Sequence, residues 1–266
     1  MMKKVGLALG SGADRGFAHI GVLKALEAAG IDIDAISGAS MGAVVAAAYA
    51  LDKDIARIEK LALEFSQIEL MKMVDLNNPI TSLIKGEKIK QWLIEKLYGE
   101  ATFEQTQIPL AIAATALEDG SAVFIRSGRI VDAVMASATL PGIMPPQEVE
   151  GKHLIDGGLA EAVPLSILAE MGAQVRVGVD LYGYTQTLPN NFNAREVIER
   201  TYRLYLTKLS QIYYLYPKKQ TVLIWPQTEE GIESLTFTHA KVNIEAGEKA
   251  AWEKMELIKK LIQVET

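Results

Sequence analysis

The amino-acid sequence predicts an α/β fold with a central, mostly parallel sheet between helices. Three observations near the start of the chain carry this prediction. Val5–Leu9 is a short apolar run that ends in glycines, as expected for a strand buried on both faces. Residues 17–29 carry apolar side chains at helical spacing, and Gly30 ends the pattern. Residues 34–37 then supply a second strand, and this order of strand, helix and strand predicts parallel pairing.

The rest of the chain continues the alternation without an internal repeat. Further strands are predicted at residues 108–116, 121–126, 175–180 and 221–225, with a hairpin around Gly151 over residues 148–153. Further helices are predicted at residues 54–63, 87–97, 130–138, 164–171, 194–214 and 244–263. The less regular stretch between residues 63 and 87 is predicted to cover a site; it includes Met71, Met73, Asn77, Asn78 and Pro79.

Length and composition limit the classes of function. The 266 residues contain no linker-like stretch, which predicts one domain over residues 1–266. A balance of 27 basic against 33 acidic residues, or −6, argues against nucleic acid as a partner. The chain has no cysteine, and its three histidines show no ligand spacing, so a metal site is not expected. No organic cofactor is expected either.

The first apolar run is too short for a secretory signal, which needs roughly 7–15 apolar residues before its cleavage site. No stretch approaches the ~20 apolar residues of a membrane-spanning helix. These two observations predict a cytoplasmic protein, with peripheral contact at the inner membrane surface as an extension of that prediction.

The pentapeptide Gly38-Ala39-Ser40-Met41-Gly42 follows the second predicted strand and precedes a helix rich in small residues. This is the arrangement of a nucleophile elbow, in which glycines on either side let the backbones approach closely. The helix would begin directly behind Ser40 and place its partly positive N-terminus near any negative charge formed there. The pentapeptide alone is a weak signal, so its surroundings must decide.

A serine hydroxyl needs a neighbouring base, and the sequence offers two interpretations. In the first, Ser40, Asp156 and His239 form a triad in the chain order of α/β-hydrolases. Ser40 comes early in the chain for that fold, however, and His239 lies in a polar stretch. In the second, Asp156 is itself the base, which would require desolvation or close hydrogen bonding to raise its basicity.

Several ordered motifs resemble bacterial patatin-like phospholipases, which are serine acyl hydrolases with a Ser-Asp dyad. They are Gly-Ser-Gly-x-x-Arg-Gly at residues 10–16, Ala-His-Ile-Gly-Val-Leu at 18–23, the elbow at 38–42, Ala-Ser-Ala-Thr-Leu-Pro-Gly at 136–142, and Asp-Gly-Gly-Leu at 156–159 followed by Val163 and Pro164. The resemblance covers residues 4–180, and residues 181–266 would complete the domain with helices and a strand.

The resemblance implies a patatin-like three-layer α/β/α fold and a role for each matching residue. Ser40 would be the nucleophile and Asp156 the base. The oxyanion hole would use backbone N–H groups of Gly12 and Ala13, with that of Met41 as a further donor. The remaining site residues are the elbow glycines Gly38 and Gly42, the motif glycines Gly10, Gly16, Gly157 and Gly158, and Arg15, which would hold a head group or brace the loop.

Two residues depart from the family pattern. Ala13 stands where glycine is usual, so a positive φ there would strain the backbone. Asp14 places a carboxylate beside the oxyanion loop, and we expect it to face solvent or to pair with Arg15.

Other interpretations of these residues compete with the enzymatic one. Gly10, Gly12 and Gly16 with Asp32 or Asp34 also match a dinucleotide-binding fingerprint. His19 and His153 are expected to be structural. A run of tyrosines and lysines is expected to pack on the core, with a membrane-facing patch as the alternative; it comprises Tyr202, Tyr205, Lys208, Tyr213, Tyr214, Tyr216, Lys218 and Lys219.

The predicted function is hydrolysis of the carboxylic esters of lipids, with a lipid or acyl ester as substrate. An acyltransferase with the same dyad is the nearest alternative, and a non-catalytic lipid-sensing protein is an alternative of another class. The sequence predicts no oligomeric state, acyl-chain length or head group.

Overall fold

A computed structural model describes residues 2–65, 67–77, 82–182, 194–215, 219–228, 237 and 239–263. The strands of these residues form one sheet of eight: β1 (Val5–Leu9), β2 (Ala35–Ala39), β3 (Leu110–Ala116), β4 (Ala122–Ile125), β5 (Gln147–Val149), β6 (Lys152–Asp156), β7 (Val175–Val179) and β8 (Thr221–Ile224). Strands β3, β2, β1, β7 and β8 are neighbours in that order and run parallel. The short strands β4 and β6 are both antiparallel to β3, and β5 is antiparallel to β6.

The helices connect these strands and end the described chain: α1 (Ala18–Ala28), α2 (Met41–Asp52), α3 (Ile55–Glu64), α4 (Gln67–Met73), α5 (Glu87–Leu93), α6 (Ile130–Ser137), α7 (Ser166–Glu170), α8 (Ala194–Leu215) and α9 (Ala240–Ile262). Short 3-10 helices occupy Ala13–Phe17, Phe103–Gln105 and Gly157–Leu159. None of the helices in the described ranges is both long and apolar enough to cross a bilayer.

Helices cover both faces of the sheet, as the alternation of β1 shows. Val5, Leu7 and Leu9 are buried in one cluster with the apolar residues of α1, α2 and α9. On the opposite face, Ala8 packs with Leu168 of α7. Because successive side chains of a strand point to opposite faces, β1 is buried on both sides. The observed architecture is therefore the three-layer α/β/α fold that the sequence predicts.

The structure departs from the predicted elements mainly between strands. The loop after β1 contains a 3-10 helix at Ala13–Phe17, and the irregular stretch after residue 63 contains α4. In that stretch Met71 is exposed whereas Met73 is buried. Asn78 and Pro79 lie outside the described residues. Local periodicity gave no signal for these short helices because each has only one or two turns.

Candidate active site

The turn between β2 and α2 holds Ser40 in an unusual conformation. Its backbone has φ 54° and ψ −124°, in a region that residues with a Cβ rarely adopt. Such strain costs about 1–3 kcal/mol, persists only where surrounding contacts enforce it, and is concentrated at functional sites. The turn therefore has the geometry of a nucleophile elbow.

The glycines on either side of Ser40 are required by close backbone contacts. A Cβ added to Gly38 would lie 2.5 Å from the carbonyl oxygen of Gly42, and a Cβ added to Gly42 would lie 2.1 Å from that of Leu9. Distances below 3.0 Å do not occur for real Cβ atoms. The pentapeptide spacing is thus a steric requirement of a turn that packs directly against the end of β1.

A hydroxyl from α6 fixes the backbone of Ser40. The N–H of Ser40 donates to Oγ of Ser137 at 2.8 Å, and Ser137 is fully buried. The carbonyl of Ser40 accepts from the N–H groups of Ala43 and Val44, which ties the other side of the residue to α2. Ser137 has no role in the sequence prediction, although it lies in the 136–142 motif that marks the family resemblance.

The pairing of β3 brings Asp156 to the same point. Ile112 and Ala113 pair with both β2 and β4, whereas Ala114 and Thr115 pair with both β4 and β6. Because a strand has only two edges, β2 and β6 must share one edge of β3. Ala113 is opposite Ala39 and Ala114 is opposite Asp156, so Asp156 sits where β2 ends and the elbow begins.

The side chain of Asp156 is buried and sparsely hydrogen-bonded. Its Oδ1 accepts from the N–H of Gly158 at 2.8 Å, and burial raises its pKa to about 6. Lowering influences on that pKa come from the hydroxyl of Ser40, the N–H of Gly158 and the hydroxyl of Tyr202. Among the described residues Oδ2 has no partner at ordinary hydrogen-bond geometry, so the contact from Ser40 is long or poorly aligned. Catalytic hydrogen bonds often tighten only in the substrate complex.

The two glycines after Asp156 allow the chain to turn tightly beside β3 and the first loop. A Cβ on Gly157 would lie 2.0 Å from the carbonyl oxygen of Ala113, and one on Gly158 would lie 2.3 Å from Oγ of Ser11. Any side chain here would push Asp156 away from the elbow. Both motif glycines therefore contribute to the site by allowing close packing of the backbone and not by taking part in the reaction.

The loop after β1 packs against the elbow, and a histidine of α1 binds its first residue. Nε2 of His19 donates to the carbonyl of Gly10 at 2.7 Å; burial lowers the pKa of this histidine to about 4, so its ring is neutral at pH 7. Gly16 faces the side chain of Met41, where a Cβ would meet Cγ at 2.2 Å. His19 thus supports the loop, as a structural residue would.

The three proposed oxyanion donors occupy this loop and the start of α2. The N–H groups of Gly12, Ala13 and Met41 donate to no partner within the described part of the chain. Ala13 has φ 49°, so the strain that its departure from glycine predicts is present. Met41 is the first residue of α2, where unpaired N–H groups point outward from the helix end.

Arg15 is buried and joins its own loop to the segment after β7. Its Nε donates to the carbonyl of Gly12 and its NH1 to the carbonyl of Leu181, at 3.3 and 2.9 Å. The guanidinium also lies 4.2 Å from the centre of the Tyr182 ring. These contacts brace the loop, the second of the two roles predicted for Arg15.

The prediction that Asp14 faces solvent is wrong, because this residue is fully buried. The 3-10 helix turns its carboxylate toward the beginning of α9, where Nδ1 of His239 lies 3.5 Å from Oδ2. The side chain of Asn243 donates to the carbonyl of Asp14. The N-terminus of α9 also favours negative charge. His239 thus contacts Asp14, whereas the hydroxyl of Ser40 acts on Asp156; this arrangement does not favour the triad.

The remaining predicted residues divide between surface and interior. His153 lies on the surface, where its ring and Glu118 form a pair at 2.9 Å. In the aromatic run, Tyr205 is exposed whereas the hydroxyl of Tyr202 is buried near Asp156. The side chains of Tyr213, Tyr214, Tyr216 and Lys218 lie outside the described residues. The described residues contain no cluster of three or more histidine or acidic side chains suited to a metal ion.

Comparison with known proteins decides the family. The family model of patatin-like phospholipases matches residues 7–169, which is more than half of the chain. The chain belongs to the patatin-like phospholipase family. This result confirms the resemblance read from the motifs, and it covers the loop after β1, the elbow and Asp156.

The relatives of this family member extend over longer chains. An NTE family protein of Mycobacterium tuberculosis is 36% identical over 180 residues, or 68% of this chain and 49% of its own. A lysophospholipase of Coccidioides immitis is 34% identical over 193 residues, or 71% of this chain and 12% of its own. The chain thus spans about half or less of the length of these relatives.

The crystal structure of VipD from Legionella pneumophila is similar over 97% of this chain and 67% of that protein. The TM-score is 0.52 and the sequence identity is 14%. This similarity supports the fold.

Proposed function

We propose that this patatin-like protein is a serine acyl hydrolase that cleaves carboxylic esters of lipids through an acyl-Ser40 intermediate, with Asp156 as the base. The observation that supports the proposal is the pairing of β2 and β6 on one edge of β3, because the buried carboxyl group of Asp156 then lies at the end of β2, next to the elbow. A pKa of about 6 leaves Asp156 mostly ionised at pH 7 while making it a better base than an ordinary aspartate.

Acylation begins when the hydroxyl of Ser40 loses its proton to Asp156. The serine oxygen attacks the ester carbonyl carbon and forms a tetrahedral intermediate with a negatively charged oxygen. Collapse of this intermediate breaks the bond to the leaving alcohol, and Asp156 returns its proton to the alcohol oxygen. Since Oδ1 is held by the N–H of Gly158, Oδ2 is the oxygen available for the proton.

The negative oxygen requires donors that are in place before it forms. The N–H groups of Gly12, Ala13 and Met41 are unused by other residues of the described chain. The N–H of Ser40 is already committed to Ser137 and is not counted among them. One such donor is worth about 3 kcal/mol of barrier.

Deacylation repeats the proton transfers with water as the nucleophile. Asp156 removes a proton from water, which attacks the acyl carbon and releases the fatty acid, and Ser40 recovers its proton. An alcohol acceptor in place of water gives the acyltransferase alternative, and its test is formation of a transesterified product when an alcohol is added.

Lipid substrates require contact with a lipid surface, and one part of the chain is suited to it. Four large apolar side chains at the end of α4 and in the segment before α5 are exposed: Met71, Val74, Leu76 and Leu83. Lys72, Lys85 and Lys88 are exposed among them. The N–H groups of Leu83 and Ile84 donate to the carbonyl of Ile143, which anchors this segment to the loop after α6. An apolar surface with cationic residues suits an anionic bilayer.

The central experiment combines labelling and hydrolysis. A fluorophosphonate should label Ser40, as identified by mass spectrometry, and phospholipids and esters of graded chain length should be hydrolysed. Ser40→Ala and Asp156→Ala should each abolish hydrolysis, with circular dichroism as the control for folding. Activity that survives Ser40→Ala would refute the proposal, and a folded chain without labelling or hydrolysis would favour the lipid-sensing alternative.

The lipid contact is tested separately by sedimentation with vesicles that contain phosphatidylglycerol. Leu76→Ser should weaken binding and leave hydrolysis of a soluble short-chain ester unchanged. Leu257→Ser, at an exposed leucine of α9 outside this segment, is the control. Equal binding by all three proteins would place the contact elsewhere, as on the tyrosines of α8.

A further inference from the structure

Helix α8 presents one face to the carboxyl ends of the parallel strands, where the candidate site lies. Tyr202, Leu206 and Ser210 are spaced four residues apart and so lie on one face. Leu206 and Ser210 are buried, and the hydroxyl of Tyr202 is buried as well. Tyr205, between them in sequence, points to solvent with 49% of its surface exposed.

Asp180, the residue after β7, holds this face of α8 at Ser210, two turns after Tyr202. Oδ2 of Asp180 accepts a hydrogen bond from the hydroxyl of Ser210, and Oδ1 accepts from the N–H of Tyr182 at 2.9 Å. Both Asp180 and Ser210 are buried. This contact attaches α8 to the carboxyl end of β7, at the same sheet edge as the elbow, because β7, β1 and β2 run parallel.

The spacing along the helix matches the spacing across the sheet. Ser210 and Tyr202 are eight residues apart, or about 12 Å along a helix axis. From β7 across β1 to β2 is two strand spacings, or about 10 Å. A helix that is fixed at the end of β7 and runs toward β2 would bring Tyr202 to the end of β2, which agrees with the interaction between Tyr202 and Asp156.

The two side chains each carry a buried oxygen atom that lacks a partner in the described part of the chain. Oη of Tyr202 and Oδ2 of Asp156 are both inaccessible to solvent, and among the described residues neither has a hydrogen bond of ordinary geometry. Each side chain acts on the titration of the other through a hydrogen-bond interaction. Burial raises the pKa of the Tyr202 phenol well above its usual range, so this hydroxyl keeps its proton and acts as a donor.

We infer that Tyr202 is a positioning residue of the active site, whose hydroxyl donates to the carboxylate of Asp156 and holds it ready to accept the proton of Ser40. This inference rests on the proposed function. Within the described residues, the N–H of Gly158 is the one donor that forms a hydrogen bond of ordinary geometry with the Asp156 carboxylate. A second donor fixes the plane of the carboxylate and stabilises its ionised form in a buried environment.

The groups that face this pair come from three elements. Ser40 and the N–H of Gly158 act on Asp156 from the elbow and from the 3-10 helix after β6. Tyr182 acts on Tyr202 from the segment after β7. Because a donor favours the charged form of an acid, loss of the Tyr202 hydroxyl should raise the pKa of Asp156 above its value of about 6.

The test is the pH profile of kcat/KM for a water-soluble short-chain ester, measured on Tyr202→Phe between pH 5 and pH 9. Loss of a charge-assisted hydrogen bond that is long or poorly aligned should shift the acid limb of the profile upward by about one pH unit. Activity should then fall about fivefold at pH 6 and less than about twofold at pH 8, from the ionised fractions at the two pKa values. Tyr205→Phe, on the exposed face of the same helix, should superimpose on the wild type.

The outcomes separate this inference from the proposed function. An unshifted acid limb, or an equal loss at every pH, would refute the role of Tyr202 while Ser40→Ala still abolished activity. Activity that survives Ser40→Ala would refute the proposed function itself. If Tyr202→Phe yields little folded protein, the rate of fluorophosphonate labelling against pH gives the same shift from the folded fraction, and an unchanged labelling profile refutes the inference equally.

Discussion

Replacement of Ser137 by alanine tests whether the elbow depends on a partner outside its own pentapeptide. The variant removes the hydroxyl that accepts from the N–H of Ser40 at 2.8 Å. Both residues are buried, so no water replaces the lost acceptor. An unsatisfied buried N–H costs about 1–3 kcal/mol, which is as large as the strain of about 1–3 kcal/mol that a rare backbone conformation stores.

The expected result is a loss of both stability and turnover. The melting temperature should fall by about 2–4 °C for each kcal/mol lost in a chain of this size. When the hydrogen bond no longer opposes the strain, Ser40 relaxes from φ 54° and its hydroxyl moves relative to Asp156. An increase of about 1–3 kcal/mol in the activation barrier corresponds to a decrease in kcat of roughly 5–150-fold. KM should change little.

Ser37→Ala is the matched control for stability. Ser37 is a fully buried serine of β2, and its hydroxyl donates to the carbonyl of Pro164 at 2.6 Å. Its loss should lower the melting temperature similarly, because it also leaves a buried backbone group unpaired. It does not contact the backbone of Ser40, so kcat should remain near that of the wild type. Equal kcat values for both variants would refute the reasoning.

Three further predictions concern the base, the elbow and the loop. Hydrolysis should rise with pH through about 6, because burial raises the pKa of Asp156 and the ionised form is the active one; kcat/KM that instead levels off from pH 4 upward would contradict this. Gly42→Ala should lower the melting temperature far more than Gly120→Ala. A Cβ at Gly42 would lie 2.1 Å from the carbonyl oxygen of Leu9, whereas a Cβ at Gly120 meets nothing within 4 Å among the described residues and costs only the strain of an alanine at φ 74°. Asp14→Asn should reduce the melting temperature because it breaks the contact with His239, while kcat changes less than about tenfold. A decrease in kcat of several orders of magnitude would show that Asp14 acts in the reaction.

Local sequence patterns predicted most of the regular elements. The apolar run of β1 and the periodic pattern of α1 depend on neighbours within a few residues, and their predicted ends are within one residue of those in the structure. The glycines around Ser40 were equally informative, because a turn this tight excludes side chains at both positions. The burial of Asp14 was mispredicted since it depends on α9, more than two hundred residues along the chain.

The sequence by itself determined the α/β class, the family and the two residues that we propose as nucleophile and base. The tertiary structure decided what surrounds them: Ser137 at the N–H of Ser40, and Tyr202 at the carboxylate of Asp156. The hydrogen bond at Ser40 joins residues 97 positions apart. Such contacts depend on strand register and on where a helix crosses the sheet, and no local pattern records either one.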